Sequence, residues 1–213
     1  MTRDRHAGAM VLAVLAAAIA AGAQAPPPLA ERIGHTDPSR YRRSRSHGSE
    51  GDMACMTLVP RNAIPLLNFA HRCQMTAPKG GVGHHFHNRT EEMFVIFDGD
   101  AEFTIDGRTS RLKGTVGAPV RMGHSQYVDH LILTPGSSEG LHSHASVGEV
   151  YYVLDGEGQV TVAGESAAIG KGDGVPIVPD QAHAVANTGP RDLELMIIGI
   201  ATEKGQLDTV VLK

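Results

Sequence analysis

The chain has 213 residues, a length that suits one large domain or two small ones. It contains 25 Gly, 12 Pro and no Trp, a composition that favours short strands joined by turns over long helices. Its formal net charge of −4 gives a nucleic-acid partner no electrostatic support, and the arginine-rich run at residues 40–45 is interpreted as solvated linker.

The first 23 residues have the features of a secretory signal peptide. Arg3 and Arg5 precede an Ala-rich uncharged stretch that ends in the sequence AGAQAPPP. A retained membrane anchor is the alternative, but Ala is weakly hydrophobic and the prolines end the stretch early. We therefore predict cleavage after Ala23, a secreted or periplasmic protein, and no stable membrane insertion of the cleaved chain. Residues 24–50, rich in Pro, Arg and Ser, are predicted to be a flexible linker.

An exported chain can form disulfides, and this one has two cysteines, Cys55 and Cys73. Apolar runs on both sides of a turn at residues 62–65 predict a hairpin centred near Ile64, which sets the two cysteines opposite each other. A disulfide and two unpaired buried thiols are both compatible with this hairpin. We expect the thiols to remain unpaired.

Strand patterns dominate from residue 51 onward, and no segment has a convincing helical period. Asp-Gly pairs at residues 98–99, 106–107 and 155–156 lie between alternating runs, which is the strongest short signal for a hairpin. Many short strands with evenly spaced turns predict an all-β sandwich or barrel. The predicted strands cover residues 53–59, 66–76, 84–88, 92–97, 101–106, 109–112, 118–122, 127–134, 141–145, 149–154, 157–163, 166–169, 175–178, 182–187 and 192–201.

Two histidines stand one residue apart in the sequence GLHSHASVGEVYYVLDGEG, residues 140–158. On a strand, His142 and His144 point to one face, and a bend at ASVG would bring Glu149 back beside them. His183, in VPDQAHAVANTG, is the fourth candidate ligand. Three neutral imidazoles and one carboxylate suit a divalent first-row metal such as Fe, Mn, Ni, Cu, Co or Zn, and leave coordination positions open for a ligand.

This stretch resembles the first signature of the cupin superfamily, G-x5-H-x-H-x4-E-x6-G, at every fixed position. The second cupin signature, G-x5-P-x-G-x2-H-x3-N, is similar in part, because Val178 and Asp180 stand where it has Pro and Gly. The resemblance implies a complete C-terminal cupin at residues 127–213, a double-stranded β-helix or jelly-roll barrel with the metal inside. The matching positions are Gly136, His142, His144, Glu149 and Gly156 in the first signature and Gly172, His183 and Asn187 in the second.

An earlier stretch, VGHHFHNRTEEMFVIFDGDAEF at residues 82–103, resembles the first signature again. Too few residues separate the two copies for the first to contain an equivalent of the closing strand at 192–201. The resemblance therefore implies an incomplete N-terminal cupin at residues 51–126. Either this copy has lost its closing strands and its open edge is covered by residues 51–76 or by a second subunit, or the chain is an aberrant shortened version of a longer two-cupin protein. We expect a homodimer. The metal ligands implied in this copy are His85, His87, Glu92 and His124.

The cupin fold hosts oxygenases, lyases, isomerases and non-catalytic binders, so fold alone does not set function. The leading hypothesis is a metal-dependent, dioxygenase-like oxidoreductase acting on a small organic molecule, with Glu149 as general base. A non-catalytic protein that binds or senses a small ligand is the alternative, and a metal-dependent lyase or isomerase is a further one. Tyr151 shares a face with Glu149 by strand alternation, and is predicted either to reach the pocket or to pack in the core.

Overall fold

The structure is a computed structural model that describes residues 25–76, 78–87, 90–114, 125–203 and 208–212, without the side chains of residues 125 and 126. The predicted signal peptide, the predicted strand at 118–122 and the candidate ligand His124 lie outside the described residues. Within the described ranges, no helix is both long enough and apolar enough to cross a membrane.

The N-terminal part consists of short elements. A three-stranded antiparallel sheet has the order β1-β2-β3, and β4 and β5 form a separate hairpin. At the tip of that hairpin Asp106 and Gly107 have φ angles of 50° and 74°, which confirms the turn predicted at this Asp-Gly pair. The elements are α1 (Leu29–Arg32), β1 (Arg42–Ser44), β2 (Met53–Val59), β3 (Ala70–Met75), β4 (Asp100–Ile105) and β5 (Arg108–Lys113).

The C-terminal part is a barrel made of two antiparallel sheets. One sheet has the strand order β10-β9-β12-β7-β14 and the other has the order β11-β8-β13-β6. This is the all-β, double-stranded β-helix arrangement expected from the sequence. The strands are β6 (Ser125–Leu133), β7 (Ser138–Ser143), β8 (Val147–Asp155), β9 (Glu157–Val162), β10 (Glu165–Gly170), β11 (Gly174–Ile177), β12 (His183–Ala186), β13 (Leu193–Ala201) and β14 (Val210–Val211).

The barrel core lies between the two sheets, where alternate residues of each strand point inward. Val160 and Val162 of β9 meet Val153 of β8 and Leu195 of β13, and all four side chains are fully buried. Fully burying such a side chain contributes about 1.5–3 kcal/mol to folding. The barrel interior is therefore a packed core that fixes the positions of the strands around it.

The N-terminal part covers the outer face of the β8–β13 sheet. Met56 and Val59 of β2, with Ile64 from the following loop, form a second apolar cluster with Tyr152 and Met196. Burial on both faces explains why β8 is apolar along most of its length, instead of alternating with polar residues.

The segment at residues 29–34 packs against the barrel. Leu29 and Ile33 are buried, at 1% and 5% exposure, and belong to the barrel core. Gly34 and Gly174 exchange two backbone hydrogen bonds of 2.8 Å. The approach is so close that a Cβ atom on Gly34 would lie 1.8 Å from a backbone oxygen of β2. The two buried apolar side chains and the glycine contact hold this segment on the barrel.

The β2–β3 hairpin pairs Cys55 directly with Cys73, as the predicted turn near Ile64 requires. The two cysteines form a disulfide, and the expectation of two unpaired thiols is therefore wrong. The hairpin register already brings the two side chains together, so no backbone rearrangement is needed to form the bond.

Two predicted strands of the first copy, at residues 84–88 and 92–97, are not strands within the part of the chain that the structure describes. The sequence HHFHN places polar imidazoles on both sides of Phe86, and that phenylalanine is 99% exposed. In the described part of HHFHN no apolar side chain is buried to hold a strand in register. The interpretation of residues 51–126 as an incomplete cupin remains a prediction.

Candidate metal centre

The four candidate ligands of the barrel come from three strands and one bend. His142 on β7 is paired with His183 on β12. His144 follows β7, and the bend at residues 145–146 carries the chain from one sheet to the other. Glu149 then lies on β8 and faces the histidines. Glu149 stands five residues after His144 and would point to the opposite face of a continuous strand, so this change of sheet is the bend predicted at ASVG.

The ligand atoms of these four residues all lie within 4.8 Å of one another. Oε2 of Glu149 is 2.7 Å from Nε2 of His183 and 3.7 Å from Nε2 of His144. The ring centroids of His142 and His183 are 4.2 Å apart. All four residues are buried, with exposures between 1% and 8%. Such a dense group of buried polar side chains could hold one cation.

Backbone carbonyls fix the orientation of all three imidazoles. Nδ1 of His142 lies 2.8 Å from the carbonyl oxygen of Gly140, and Nδ1 of His183 lies 2.8 Å from that of Gln181. Nδ1 of His144 contacts the carbonyl oxygen of Asp208. Since a carbonyl only accepts, each Nδ1 carries a proton, and each Nε2 is left to face the centre. Metal-binding histidines are held in this way in proteins.

Two buried atoms at the centre have no hydrogen-bond partner among the described residues, Nε2 of His183 and Oε2 of Glu149. They are 2.7 Å apart, yet they do not meet in hydrogen-bonding geometry. A cation placed between them would give both atoms a partner. The residues therefore fit a divalent metal ion, held by three imidazole nitrogens and one carboxylate oxygen.

Sequence reasoning missed Tyr127, which holds the other oxygen of Glu149. The Tyr127 hydroxyl donates a 2.5 Å hydrogen bond to Oε1 of Glu149. Tyr127 on β6 is paired with Gly199 on β13, and Gly199 is paired in turn with Glu149. Because Gly199 has no side chain, the tyrosine ring reaches across it, and a Cβ atom there would lie 2.5 Å from the ring. The signal available in the sequence was a lone glycine inside the apolar strand LELMIIGI.

The contacts of Glu149 favour its ionised form. Burial alone would raise the pKa of this carboxyl, but the contacts with His183 and Tyr127 outweigh it and hold the pKa below its usual value. Burial and the bond to Glu149 also raise the pKa of the Tyr127 hydroxyl. At neutral pH the carboxylate is therefore negative and the phenol keeps its proton. Oε2 faces the imidazoles, and Oε1 is occupied by Tyr127.

Tyr151 meets both alternatives stated for it. Its side chain is fully buried and belongs to the barrel core. It also approaches the metal centre, since its ring lies edge-on to His183 with the centroids 5.8 Å apart. Its hydroxyl donates a 3.0 Å hydrogen bond to Glu139 instead of pointing at a ligand.

Two residues of the second signature have structural roles. Asp180 replaces the signature glycine and has a φ of 66°, the left-handed conformation that favours glycine. Asn187 donates to the carbonyl oxygens of Leu133 and Arg191 at 2.6 and 2.7 Å, and accepts from the backbone of Gly189. These contacts shape the turns before and after the strand that carries His183.

The first-copy ligands also come together, although they are more exposed. Nε2 of His85 is 2.9 Å from Nε2 of His87, and Oε2 of Glu92 is 3.2 Å from Nε2 of His87. Nδ1 of His85 lies 2.8 Å from the carbonyl oxygen of Gly83, as Nδ1 of His142 does with Gly140. The side chains of His87 and Glu92 are 35% and 29% exposed. The structure brings three of the four predicted ligands together, and His124 lies outside the described residues.

Comparisons with known proteins agree with this geometry in the C-terminal part. Residues 129–199 match the family model described as "Cupin domain". The matched residues, called the cupin domain below, are about a third of the chain. An oxalate-binding protein of Thermotoga maritima is 41% identical over 66 residues, which cover 31% of this chain and 54% of that protein. An uncharacterized protein of Methanocaldococcus jannaschii is 34% identical over 74 residues, which cover 35% and 59%. The matched stretches span little more than half the length of either relative.

Solved structures are similar to the chain as well. A predicted oxalate decarboxylase from Thermotoga maritima is 22% identical, and the match covers 76% of this chain and 91% of that one with a TM-score of 0.36. The oxalate decarboxylase of Lactobacillus farciminis, in a formate complex, is 20% identical, with coverage of 40% and 26% and a TM-score of 0.37. We draw no functional conclusion from likeness at this level.

Proposed function

We propose that the cupin domain binds one divalent transition metal and holds a small carboxylate-bearing molecule on the open positions of that ion. The observation that carries the proposal is the pair of buried, unpartnered atoms Nε2 of His183 and Oε2 of Glu149, which face two further imidazoles. Four protein donors leave one or two positions open on a five- or six-coordinate ion. Open positions suit ligand capture or chemistry rather than a closed structural site.

The ligand class follows from charge. Among the described residues, the buried polar and charged groups include no Lys or Arg, so an anion bound in the barrel would rely on the metal for its counter-charge. A small dicarboxylate can occupy two neighbouring positions on such an ion with one oxygen from each carboxylate. The relative named as an oxalate-binding protein supports oxalate as the first compound to test.

Binding is better supported than general-base catalysis by Glu149. A base in that role needs a free oxygen, but Oε2 faces the imidazoles and Oε1 accepts the short bond from Tyr127. A metal-dependent, dioxygenase-like oxidoreductase is the second candidate. It is supported by the Tyr127 hydroxyl, because this group holds a proton beside a candidate ligand residue and could donate it to a substrate.

Three wider proposals accompany this function. We propose a second, weaker metal site at His85, His87 and Glu92, with His124 as a fourth ligand, because partial exposure lets water compete for the ion. Secretion or a periplasmic location is supported by the Cys55–Cys73 disulfide, since such bonds persist in oxidising compartments. A homodimer is supported by large exposed apolar side chains, which include Ile132, Leu141, Val210 and Val211.

The test is ligand binding with and without metal. Purified protein is stripped with a chelator, reloaded with Mn²⁺, Co²⁺ or Zn²⁺, and titrated calorimetrically with oxalate, with acetate as the control for a single carboxylate. We expect oxalate to bind only the loaded wild type, and His183→Ala to lose both the metal and oxalate. Oxygen uptake during the same incubations distinguishes turnover from binding. Equal oxalate binding by stripped and loaded protein would contradict the proposal.

A further inference from the structure

The three imidazoles of the metal centre differ in what fixes them. His142 and His183 each place Nδ1 against the carbonyl of the residue two positions earlier, so their own strands set their orientation. His144 has no such local partner among the described residues. Its Nδ1 contacts the carbonyl oxygen of Asp208 and, at 3.3 Å, the hydroxyl of Thr209. These partners lie more than sixty positions further along the chain.

The segment that supplies these partners, residues 208–212, is held against the strand that carries the ligands. The Asp208 carboxylate accepts hydrogen bonds from the backbone of Ala145 at 2.7 Å, from the backbone of Ser146 at 3.0 Å and from its hydroxyl at 2.9 Å. Val210 and Val211 of β14 pair with Ser143 and His142 of β7. Three hydrogen bonds accepted by one carboxylate therefore fix the residue whose carbonyl orients His144.

We propose that Asp208 is a positioning residue for the metal centre, and that docking of residues 208–212 and metal binding stabilise each other. The inference rests on the proposed metal function. When the segment is docked, Nδ1 of His144 is engaged and its Nε2 faces the centre. When the segment is released, the His144 ring loses the groups that fix its tautomer and orientation, so the ion binds less tightly. The coupling is reciprocal, because an ion that holds His144 in place also favours docking of the segment.

The first-copy site shows the contrasting arrangement. His87 occupies the place in its motif that His144 occupies in the second copy, and its Nδ1 lies 2.9 Å from the hydroxyl of Thr90, three residues away. The support of His87 is local, whereas that of His144 comes from a distant segment. Coupling to residues 208–212 is therefore specific to the cupin domain.

The experiment compares Asp208→Ala, Asp208→Asn and Asp37→Ala in full-length protein that also carries His87→Ala, which weakens the first site. Asp37 is the matched control, because its carboxylate also caps a backbone N–H and a serine hydroxyl, those of Ser39, but far from the centre in sequence. Co²⁺ alone is the probe. The measurements are its affinity, its visible ligand-field spectrum and the hydrogen exchange of the Leu212 amide, which donates to Leu141.

We expect Asp208→Ala to weaken Co²⁺ binding about 10- to 100-fold, the loss typical of outer-shell partners of metal ligands. Asp208→Asn keeps an acceptor oxygen and should recover part of the affinity. Co²⁺ should slow exchange of the Leu212 amide in the parent and not in Asp208→Ala, and Asp37→Ala should match the parent in all three measurements. The inference would be overturned, with the proposed function left standing, by equal affinity and spectrum in the parent and Asp208→Ala. Leu212 exchange that Co²⁺ leaves unchanged in the parent would have the same consequence. A parent that binds no Co²⁺ would overturn the proposed function as well.

Discussion

Tyr127→Phe separates the contribution of the Tyr127 hydroxyl from that of its ring. Phenylalanine keeps the ring that packs over Gly199 but removes the 2.5 Å hydrogen bond to Oε1 of Glu149. A hydrogen bond to a charged group contributes about 1.5–3 kcal/mol, and the apo protein should lose about that much free energy of unfolding. The carboxylate then loses one of the contacts that keep its pKa low, and it is free to rotate away from the centre.

We expect Tyr127→Phe to bind Zn²⁺ about 10- to 100-fold more weakly than wild type, measured by competition with a chromophoric chelator. Tyr151→Phe is the matched control, since it removes a buried hydroxyl that bonds Glu139 rather than a candidate ligand. Gly199→Ala should reproduce the loss, because its methyl group would collide with the Tyr127 ring. If Tyr127→Phe and Tyr151→Phe both bind Zn²⁺ within about twofold of wild type, Tyr127 does not support the centre.

Three further predictions concern stability. Gly156→Ala should lower the unfolding temperature more than Gly164→Ala. Both positions have φ above 80°, but only at Gly156 would a Cβ atom lie 2.3 Å from a carbonyl oxygen. Equal losses at the two positions would contradict this. Reducing the Cys55–Cys73 disulfide should cost about 2–4 kcal/mol in denaturant unfolding, while metal binding by the cupin domain persists; loss of the metal on reduction would refute that separation. The pKa of Glu149 is lower in the folded than in the unfolded protein, so the carboxylate stabilises the apo protein above its unfolded pKa, and this stabilisation is lost as the pH falls through the folded pKa. Glu149→Gln should therefore reduce the loss of stability at acid pH. An unchanged loss would show that the carboxylate contributes nothing.

The ligand set could be predicted from sequence because short-range geometry determines it. Two histidines one residue apart share a strand face. Glu149 would point to the opposite face of a continuous strand, so it could join them only through a bend, which the structure has at residues 145–146. The hairpin register that pairs Cys55 with Cys73 followed from the turn in the same way. The state of the two thiols did not follow, since a register brings sulfur atoms together without determining whether they are oxidised.

The missed features depend on contacts between distant segments. Tyr127 reaches Glu149 only because β13 lies between β6 and β8 and carries a glycine at the crossing point. Asp208 meets His144 because β14 adds to the edge of β7. Leu29 and Ile33 gave no periodic signal within a Pro- and Arg-rich stretch, yet both side chains are buried in the barrel core and help to hold the short helix in place. Local patterns contain no information on such contacts.

The metal centre should hold one ion with three imidazoles and one carboxylate of the cupin domain. X-ray absorption of full-length protein loaded with one equivalent of Zn²⁺ measures this, because multiple scattering from imidazole rings counts the histidine ligands. We expect three imidazole nitrogens at about 2.0–2.1 Å together with oxygen donors. Two imidazoles or fewer would place the ion outside this centre and refute the proposed ligand set.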